Sequence, residues 1–295
     1  MSNPFDFDSA FLQKLERLAL LSRHPLPGPV AGPRRSVRRG ASVEFADFRD
    51  YTPGDDFRRI DWKAYGRLDR LFLRLYTAEE TTTLTILLDH SASMRFGESP
   101  KSVLAARLAA VLAYIALHNY DLVALAGWGD TLDRYHPPRG GTAATAEVWG
   151  QIARLMETPR GATDFAALHR FRHVVRGPGL AVIISDLLSD SDWQAGLRAL
   201  RAAGQEVSLI QVLAPEELSP DIRGDWRLHD AESGREVEIT VSPRLLKRYA
   251  EELARHTAAV QEYCRRQGIA FVQLRSDAPI GDVVLANLHT AGMLG

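Results

Sequence analysis

The chain has 295 residues, of which 45% are hydrophobic, enough to bury the core of one large domain or of two smaller ones. Its 36 basic and 37 acidic residues nearly cancel, so the overall charge gives no support for binding to nucleic acid or for a broad attraction to membranes. The single cysteine, Cys264, excludes an internal disulfide and is expected to be a packed small hydrophobe, not a nucleophile.

The apolar stretches of the sequence are short. None approaches the roughly 20 apolar residues that cross a bilayer, and the acidic start, residues 1–8, lacks the basic region of a secretory signal. We therefore expect a cytoplasmic protein without a membrane span.

The first segment, residues 1–33, joins a helical pattern to a linker pattern. Apolar residues recur at helical spacing over residues 8–21, as in an amphipathic helix. Residues 25–33 are rich in Pro and Gly, which is typical of a linker. Four arginines follow in the same stretch: Arg34, Arg35, Arg38 and Arg39.

Residues 34–79 predict a small β-rich module. Short patches of β-branched and aromatic residues lie between Ser42 and Tyr76, and the turn-forming residues Thr52–Asp55 interrupt them. This pattern indicates a few short strands that are separate from the rest of the chain.

Residues 80–295 predict an α/β domain. Fully apolar runs alternate with helical patterns, which indicates a doubly wound, mostly parallel sheet with helices on both faces. The predicted strands are Leu84–Asp89, Leu122–Trp128, Leu180–Ser185, Val207–Val212 and Ile269–Leu274, and Leu132–His136 could pair back as an antiparallel edge. Residues from about 214 to 241 contain Pro, Gly and two short alternating runs, which predict a hairpin insertion.

Oxygen-bearing side chains lie in three loops that follow or face the ends of these strands. Asp89, Ser91 and Ser93 follow the first apolar strand, Thr163 precedes an Asp, and Asp186 follows the third strand. Because the carboxyl ends of parallel strands form one edge, where such sheets bind ligands, we expect these side chains to converge. Their hard oxygens suit a divalent cation such as Mg²⁺ that keeps open coordination positions.

Each of these residues also has a purely structural interpretation. Asp89 or one of the serines can cap the helix that follows, and Thr163 with Asp164 is a suitable N-cap pair. Asp186, with the Ser and Asp residues after it, can cap the next helix. The order of the whole set, with each member at a strand end, favours the metal interpretation over capping alone.

The same set resembles the metal-ion-dependent adhesion site of von Willebrand factor A domains, which has an Asp-x-Ser-x-Ser triplet, a later Thr and a strand-ending Asp. The resemblance assigns a metal to Asp89, Ser91, Ser93, Thr163 and Asp186. It implies that the hydroxyls contact Mg²⁺, with Mn²⁺ or Ca²⁺ as alternative ions, and that the aspartates hold the ion directly or through water. A carboxylate of a partner protein would then complete the octahedron.

A second resemblance covers the block before the α/β domain. This block reads Glu44-Phe45, Arg49-Asp50-Tyr51, Pro53-Gly54-Asp55-Asp56, Arg58, Ile60-Asp61-Trp62-Lys63 and Ala64. It is similar to the domain-of-unknown-function-58 family, whose members carry such a block ahead of a von Willebrand A-like domain. We expect a structural polar network in which Trp62 packs against the core, with a contact surface as the alternative.

The family resemblance implies a non-enzymatic, metal-dependent adaptor. Its partner would be a MoxR-type AAA+ ATPase, and its role the remodelling or maturation of client proteins. The alternative is a magnesium-dependent hydrolase of phosphate esters, although no second carboxylate stands two residues after Asp89 and no Gly-rich phosphate loop is found. A third interpretation is a structural module whose ion is covered by the insertion at about 214–241.

Overall fold

The computed structural model describes residues 4–21, 44–52, 60–68, 70–77, 81–157, 161–175, 177–232 and 234–295. The chain divides into a large unit, Met1–His24 with Thr82–Gly295, and a small unit, Pro25–Thr81. The N-terminal helix thus belongs to the large unit, whereas the sequence pattern predicts residues 1–33 as a separate segment. The predicted linker, the cluster Arg34–Arg39 and the Pro53–Asp56 turn lie outside the described residues.

Regular elements cover most of the large unit. Its strands are β3 (Thr83–Asp89), β4 (Leu122–Trp128), β5 (Leu132–Gly140), β6 (Gly179–Ser185), β7 (Gln205–Leu213), β8 (Gly224–His229), β9 (Glu236–Val241) and β10 (Ala270–Arg275). Its α-helices are α1 (Ser9–Leu15), α3 (Lys101–His118), α4 (Thr145–Glu157), α5 (Phe171–Val174), α6 (Trp193–Ala202), α7 (Pro215–Leu218), α8 (Pro243–Gln267) and α9 (Ile280–Asp282). The small unit has strands β1 (Glu44–Asp50) and β2 (Phe72–Thr77) and helix α2 (Trp62–Leu68).

Six strands form the central sheet, in the order β10-β7-β6-β3-β4-β5. Neighbouring strands are parallel except for β5, which pairs antiparallel with β4. The chain leaves β3 first toward β4 and later returns to β6 on its other side, so the carboxyl ends of β3 and β6 form a topological switch point. The predicted α/β class, with a mostly parallel sheet, is confirmed.

Side chains of the sheet alternate between two hydrophobic clusters. Leu84, Ile86 and Leu88 of β3 pack in the cluster that contains α3, whereas Leu87 packs in the cluster that contains parts of α6 and α8. This period of two is what a strand buried on both faces requires. The helix α3 is apolar and long enough to cross a membrane by composition, but 78% of it is buried within the protein.

The helix α1 packs against the first of these clusters through its apolar stripe. Leu15 is fully buried there, and the Asp8 carboxylate accepts a 2.6 Å hydrogen bond from the backbone N–H of Phe11 that caps the helix. Beyond the helix, Ala19 and Gly295 exchange backbone hydrogen bonds of 2.8 and 2.9 Å. Residues near both ends of the sequence therefore meet on one side of the sheet.

The small unit consists of an antiparallel pair, β1 and β2, and the helix α2. The Asp61 carboxylate accepts a 3.1 Å hydrogen bond from the backbone N–H of Ala64, and Ile60 and Ala64 are buried. Trp62 is 61% exposed, so the expectation that it packs against the core is wrong. Since Trp62 lies two residues before Ala64 on the helix, the two side chains point to opposite faces.

The insertion after β7 forms the short helix α7 and the antiparallel hairpin β8–β9. On one face of the hairpin, apolar residues pair across the strands, Trp226 with Ile239 and Leu228 with Val237. Three of these side chains are among the large hydrophobic residues exposed to solvent: Trp226, Leu228 and Val237. The hairpin is therefore a ribbon with one uncovered apolar face.

Candidate metal site at the carboxyl edge of the sheet

Asp89 ends the central strand β3, and its side chain is completely buried. Its Oδ2 atom accepts hydrogen bonds from the hydroxyls of Thr163, at 2.8 Å, and Ser185, at 2.6 Å. Its Oδ1 atom accepts a third, of 3.0 Å, from the backbone N–H of Ser91. Ser185 is not among the predicted ligands, although its place at the tip of β6, directly before Asp186, was a signal.

Three predicted hydroxyl groups lie side by side next to Asp89. The Oγ atom of Ser91 is 3.0 Å from Oγ of Ser93 and 3.0 Å from Oγ1 of Thr163. In an octahedron with metal–oxygen bonds of about 2.1 Å, neighbouring oxygens lie about 3.0 Å apart. Hydrogen-bonded hydroxyls also have this spacing, but here the three oxygens converge beside two carboxylates, so the set fits Mg²⁺ or Mn²⁺.

The capping interpretation can be tested residue by residue. Ser91 stands before the 3-10 turn Ala92–Arg95 without a side-chain capping bond. Asp164 caps the 3-10 helix Phe165–Arg170, while the Thr163 hydroxyl is directed to Asp89 instead. The helix α6 is capped by Asp192 and not by Asp186. These three helix starts therefore do not use the side chains of Ser91, Thr163 or Asp186.

Asp186, directly after β6, contacts both a hydroxyl group of the proposed site and the buried ammonium group of Lys101. Its Oδ2 atom accepts a 3.1 Å hydrogen bond from the Ser93 hydroxyl and a 2.6 Å ion pair from Nζ of Lys101. The Lys101 ammonium also binds Oε1 of Glu217 at 2.5 Å. Lys101 was not predicted, and the one signal for it is a charged residue at the start of the apolar helix α3.

The positive charge of Lys101 is paired with the carboxylates of Asp186 and Glu217. Burial alone lowers the pKa of Lys101, but the carboxylates of Asp186 and Glu217 outweigh burial and hold this pKa above its ordinary value. Burial raises the pKa of Glu217 in spite of Lys101. Lys101 lies between the carboxylates of Asp186 and Glu217, so the ammonium and these two carboxylates stabilise one another in their charged forms.

Asp89 keeps an uncompensated negative charge. Burial first, and then the negative charge of Asp186, raise the pKa of Asp89 from 3.8 to about 6, although hydrogen bonds from Ser185 and Ser91 oppose the rise. A nearby positive charge would stabilise the ionised form of this buried carboxylate. The electrostatics of the site therefore favour a cation.

A cavity of about 450 Å³ opens beside these residues. Its lining includes Ser93, Thr163 and Asp186, and also residues from the loop between β8 and β9. The acidic residues of the lining are Asp186, Asp190, Glu217, Asp230 and Glu232. The site is thus accessible from a pocket whose wall is strongly acidic.

Within the part of the chain that the structure describes, no group of three or more His, Cys, Asp or Glu side chains has the geometry of a metal site. The predicted set is of another kind, with two carboxylates and three hydroxyls. His90 lies inside the triplet but is buried, with its Cδ2 atom close to Gly127 on β4. Metal binding by Asp89, Ser91, Ser93, Thr163 and Asp186 stays a prediction.

Comparison with known proteins gives one family. The family model "Protein of unknown function DUF58" matches residues 47–259. The "Uncharacterized protein Rv1480" of Mycobacterium tuberculosis is 34% identical over 284 residues, which cover 94% of this chain and 89% of that protein. The "Uncharacterized protein MAV169" of Mycobacterium avium is 38% identical over 152 residues, 50% of this chain and 89% of that protein.

Solved structures are similar at lower identity. BatB from Bacteroides thetaiotaomicron, described as a conserved hypothetical protein, has a TM-score of 0.45 and 16% identity, covering 71% of this chain and 98% of that chain. An aerotolerance-related membrane protein from Bacteroides fragilis has a TM-score of 0.45 and 14% identity, covering 72% and 98%.

Proposed function

The chain belongs to the DUF58 family, and we propose that it is a non-enzymatic protein-binding adaptor whose grip depends on a divalent cation. The observation that carries this proposal is the set of three hydroxyl oxygens beside buried Asp89, in which Oγ of Ser91 lies 3.0 Å from Oγ of Ser93 and 3.0 Å from Oγ1 of Thr163. The partner that the family resemblance implies is a MoxR-type AAA+ ATPase, together with a client protein.

The proposed ligands divide into two kinds. Ser91, Ser93 and Thr163 offer neutral oxygens to the cation, while Asp89 and Asp186 supply negative charge beside them. When bound, the cation supplies a positive charge that is only partly neutralised by the protein. An acidic side chain of another protein is the natural ligand for such a charge.

Because the wall of the cavity is acidic, binding of a partner's acidic side chain should require the cation. Without a cation, the carboxylates of the lining repel an incoming acid, and the charge of Lys101 is already taken by Asp186 and Glu217. A cation bound at the hydroxyls would offset part of this repulsion and would offer the incoming acid a direct bond. Metal binding and partner binding should therefore be coupled.

One feature supports binding over turnover. Next to the cavity, the hairpin β8–β9 exposes the apolar side chains Trp226, Leu228 and Val237, with exposed fractions of 45%, 42% and 55%. An exposed apolar ribbon beside a charged pocket is typical of a surface that binds another protein.

The first test is the binding of Mg²⁺ to the purified protein by titration calorimetry. The wild type should take up the ion, and Ser93→Ala and Thr163→Val should weaken its affinity by at least about 10-fold, because each variant removes one ligand oxygen. Ser189→Ala is the matched control, since the Ser189 hydroxyl lies in the same cavity but contacts Ser191 instead of the proposed ligands. Failure of the folded wild type to bind Mg²⁺, Mn²⁺ or Ca²⁺ would contradict the proposal.

The second part of the test concerns the partner. A purified MoxR-type ATPase should be retained by the immobilised wild type in Mg²⁺ and released by EDTA, and Ser93→Ala should retain less of it. Magnesium-dependent turnover of a generic phosphate ester, lost in the same variant, would instead support the hydrolase.

A further inference from the structure

The loop between β8 and β9 brings one carboxylate to the candidate site. The hairpin strands are solvent-exposed almost throughout, yet Glu232 at their tip is half-buried. The backbone there is shaped by Asp230, whose carboxylate accepts a 2.9 Å hydrogen bond from the N–H of Glu232. The neighbours of Glu232 along the hairpin are exposed, so its partial burial comes from the position of its side chain in the cavity.

Glu232 faces the proposed ligands themselves. Ser93 and the backbone of Thr163 are polar neighbours of its carboxylate. Asp230, Ala231 and Glu232 line the same cavity as Ser93, Thr163 and Asp186. The carboxylate of Glu232 thus lies in a cavity lined by other acidic side chains, Asp186 and Asp230 among them, where a bound cation would stabilise its charge.

The base of the insertion is fixed to the body of the large unit. Glu217 of α7 binds Lys101 through Oε1 and accepts a 2.8 Å hydrogen bond from the N–H of Ala214 through Oε2. The Tyr249 hydroxyl of α8 donates to the backbone oxygen of Glu217 at 2.9 Å. Glu216 accepts a 2.9 Å bond from the N–H of Glu98, close to the triplet. These contacts orient the insertion so that its tip reaches the site.

We propose that Glu232 is an internal ligand of the cation, so that the hairpin tip occupies the coordination position that a partner's acid would take. This inference rests on the proposed function and adds its regulation. Ser93 and Thr163, which line the same cavity as Glu232, are two of the three hydroxyl residues proposed to hold the ion. The site is then closed by its own chain, and a partner's acidic side chain must displace Glu232 to bind.

The test uses Mn²⁺ with the full-length protein. Glu232→Gln should lower Mn²⁺ affinity about 10-fold, because a charged ligand oxygen is lost. It should also raise the water-proton relaxation per bound Mn²⁺ by the contribution of one water, which fills the vacated position. Glu236→Gln is the matched control, since Glu236 is an exposed carboxylate on the same hairpin that faces Arg227 and His229. This control should behave as the wild type does.

Added acetate gives an independent readout. It should displace the extra water and lower the relaxation in Glu232→Gln, and have little effect on the wild type, where Glu232 already fills the position. If Glu232→Gln matches the wild type in relaxation, the internal ligand is disproved, whether or not affinity changes, while the proposed function stands. If the wild type binds no Mn²⁺ at all, the proposed function fails and this inference fails with it.

Discussion

Asp89 shows how a single residue at a strand end can hold a site together. Three donors from three parts of the chain, the Ser91 N–H and the hydroxyls of Thr163 and Ser185, meet on its carboxylate. The hydrogen bonds orient the carboxylate but do not neutralise its charge. Its buried position therefore costs folding free energy whenever it is ionised.

This cost predicts a pH dependence in metal-free protein. The pKa of Asp89 is raised in the folded state, so the stability that it contributes is fully present below pH 3.8 and is lost as pH rises through about 6. In EDTA, the free energy of unfolding of the wild type minus that of Asp89→Asn should therefore fall by up to roughly 3 kcal/mol from pH about 4 to about 7. Urea denaturation at each pH measures this difference.

Excess Mg²⁺ provides the control for the Asp89 experiment. A bound cation favours the ionised carboxylate, so the difference between wild type and Asp89→Asn should become flatter with pH. A difference that is already flat in EDTA would show that Asp89 titrates as it does in the unfolded chain.

Residues of the site differ in how far the sequence could predict them. Asp89, Ser91 and Ser93 are close in sequence, and strand ends on one sheet edge bring Thr163 and Asp186 to them. Lys101 and Glu232 were missed. The position of Lys101 depends on how α3 is rotated over the sheet, and that of Glu232 on the direction of a hairpin, and neither follows from a local pattern.

At the scale of elements, the loop that carries Thr163 is held by a close helix contact. Gly196 of α6 packs against the 3-10 helix Phe165–Arg170, which begins directly after this loop. A Cβ atom at position 196 would lie 2.9 Å from the backbone oxygen of Phe165 and 3.0 Å from its Cβ. The absence of a side chain at Gly196 therefore lets the two elements approach.

Gly196→Ala is expected to destabilise the protein by roughly 1 to 3 kcal/mol, because the added methyl group forces α6 and this 3-10 helix apart. The matched control is Gly281→Ala in α9, where a Cβ atom would meet nothing within 4 Å. That change should leave the free energy of unfolding unchanged or raise it by up to about 1 kcal/mol. Urea denaturation compares both, and equal effects would mean that the contact at Gly196 is not tight.

The strands of the α/β part were predictable because their apolar runs are long enough to be buried on both faces. For the antiparallel β5, the sequence indicates only Leu132–His136 as an edge strand, whereas the strand extends to Gly140. Its residues Leu132–Gly140 contain two prolines and few apolar side chains, and its strand conformation comes from pairing with β4 at the sheet edge. Patterns within a segment predict elements that are stabilised by their own burial, and predict less well those that depend on a neighbour.

For the whole molecule, the fold depends on the docking of α1 as well as on the sheet. Leu15 is fully buried in the cluster around α3, and Phe7 packs edge-on against Trp149 at 5.6 Å. The Asn119 side chain after α3 donates a 2.8 Å hydrogen bond to the backbone oxygen of Leu18. A helical pattern predicted α1 but not where it packs.

Leu15→Ala should lower the free energy of unfolding by about 2 to 5 kcal/mol, because it leaves a cavity in this cluster. Leu245→Ala on α8 is the control, since Leu245 is 39% exposed, and its cost should stay below about 1 kcal/mol. Thermal and urea denaturation give both values. Similar losses for the two variants would indicate that α1 does not contribute to the core of the large unit.

The backbone pairing of Ala19 with Gly295, and of Leu21 with Met293, has a consequence for folding kinetics. The paired residues stand at opposite ends of the sequence of the large unit. Contacts between residues so distant in sequence form slowly. This pairing is therefore expected to be a late step, which follows the assembly of the central sheet.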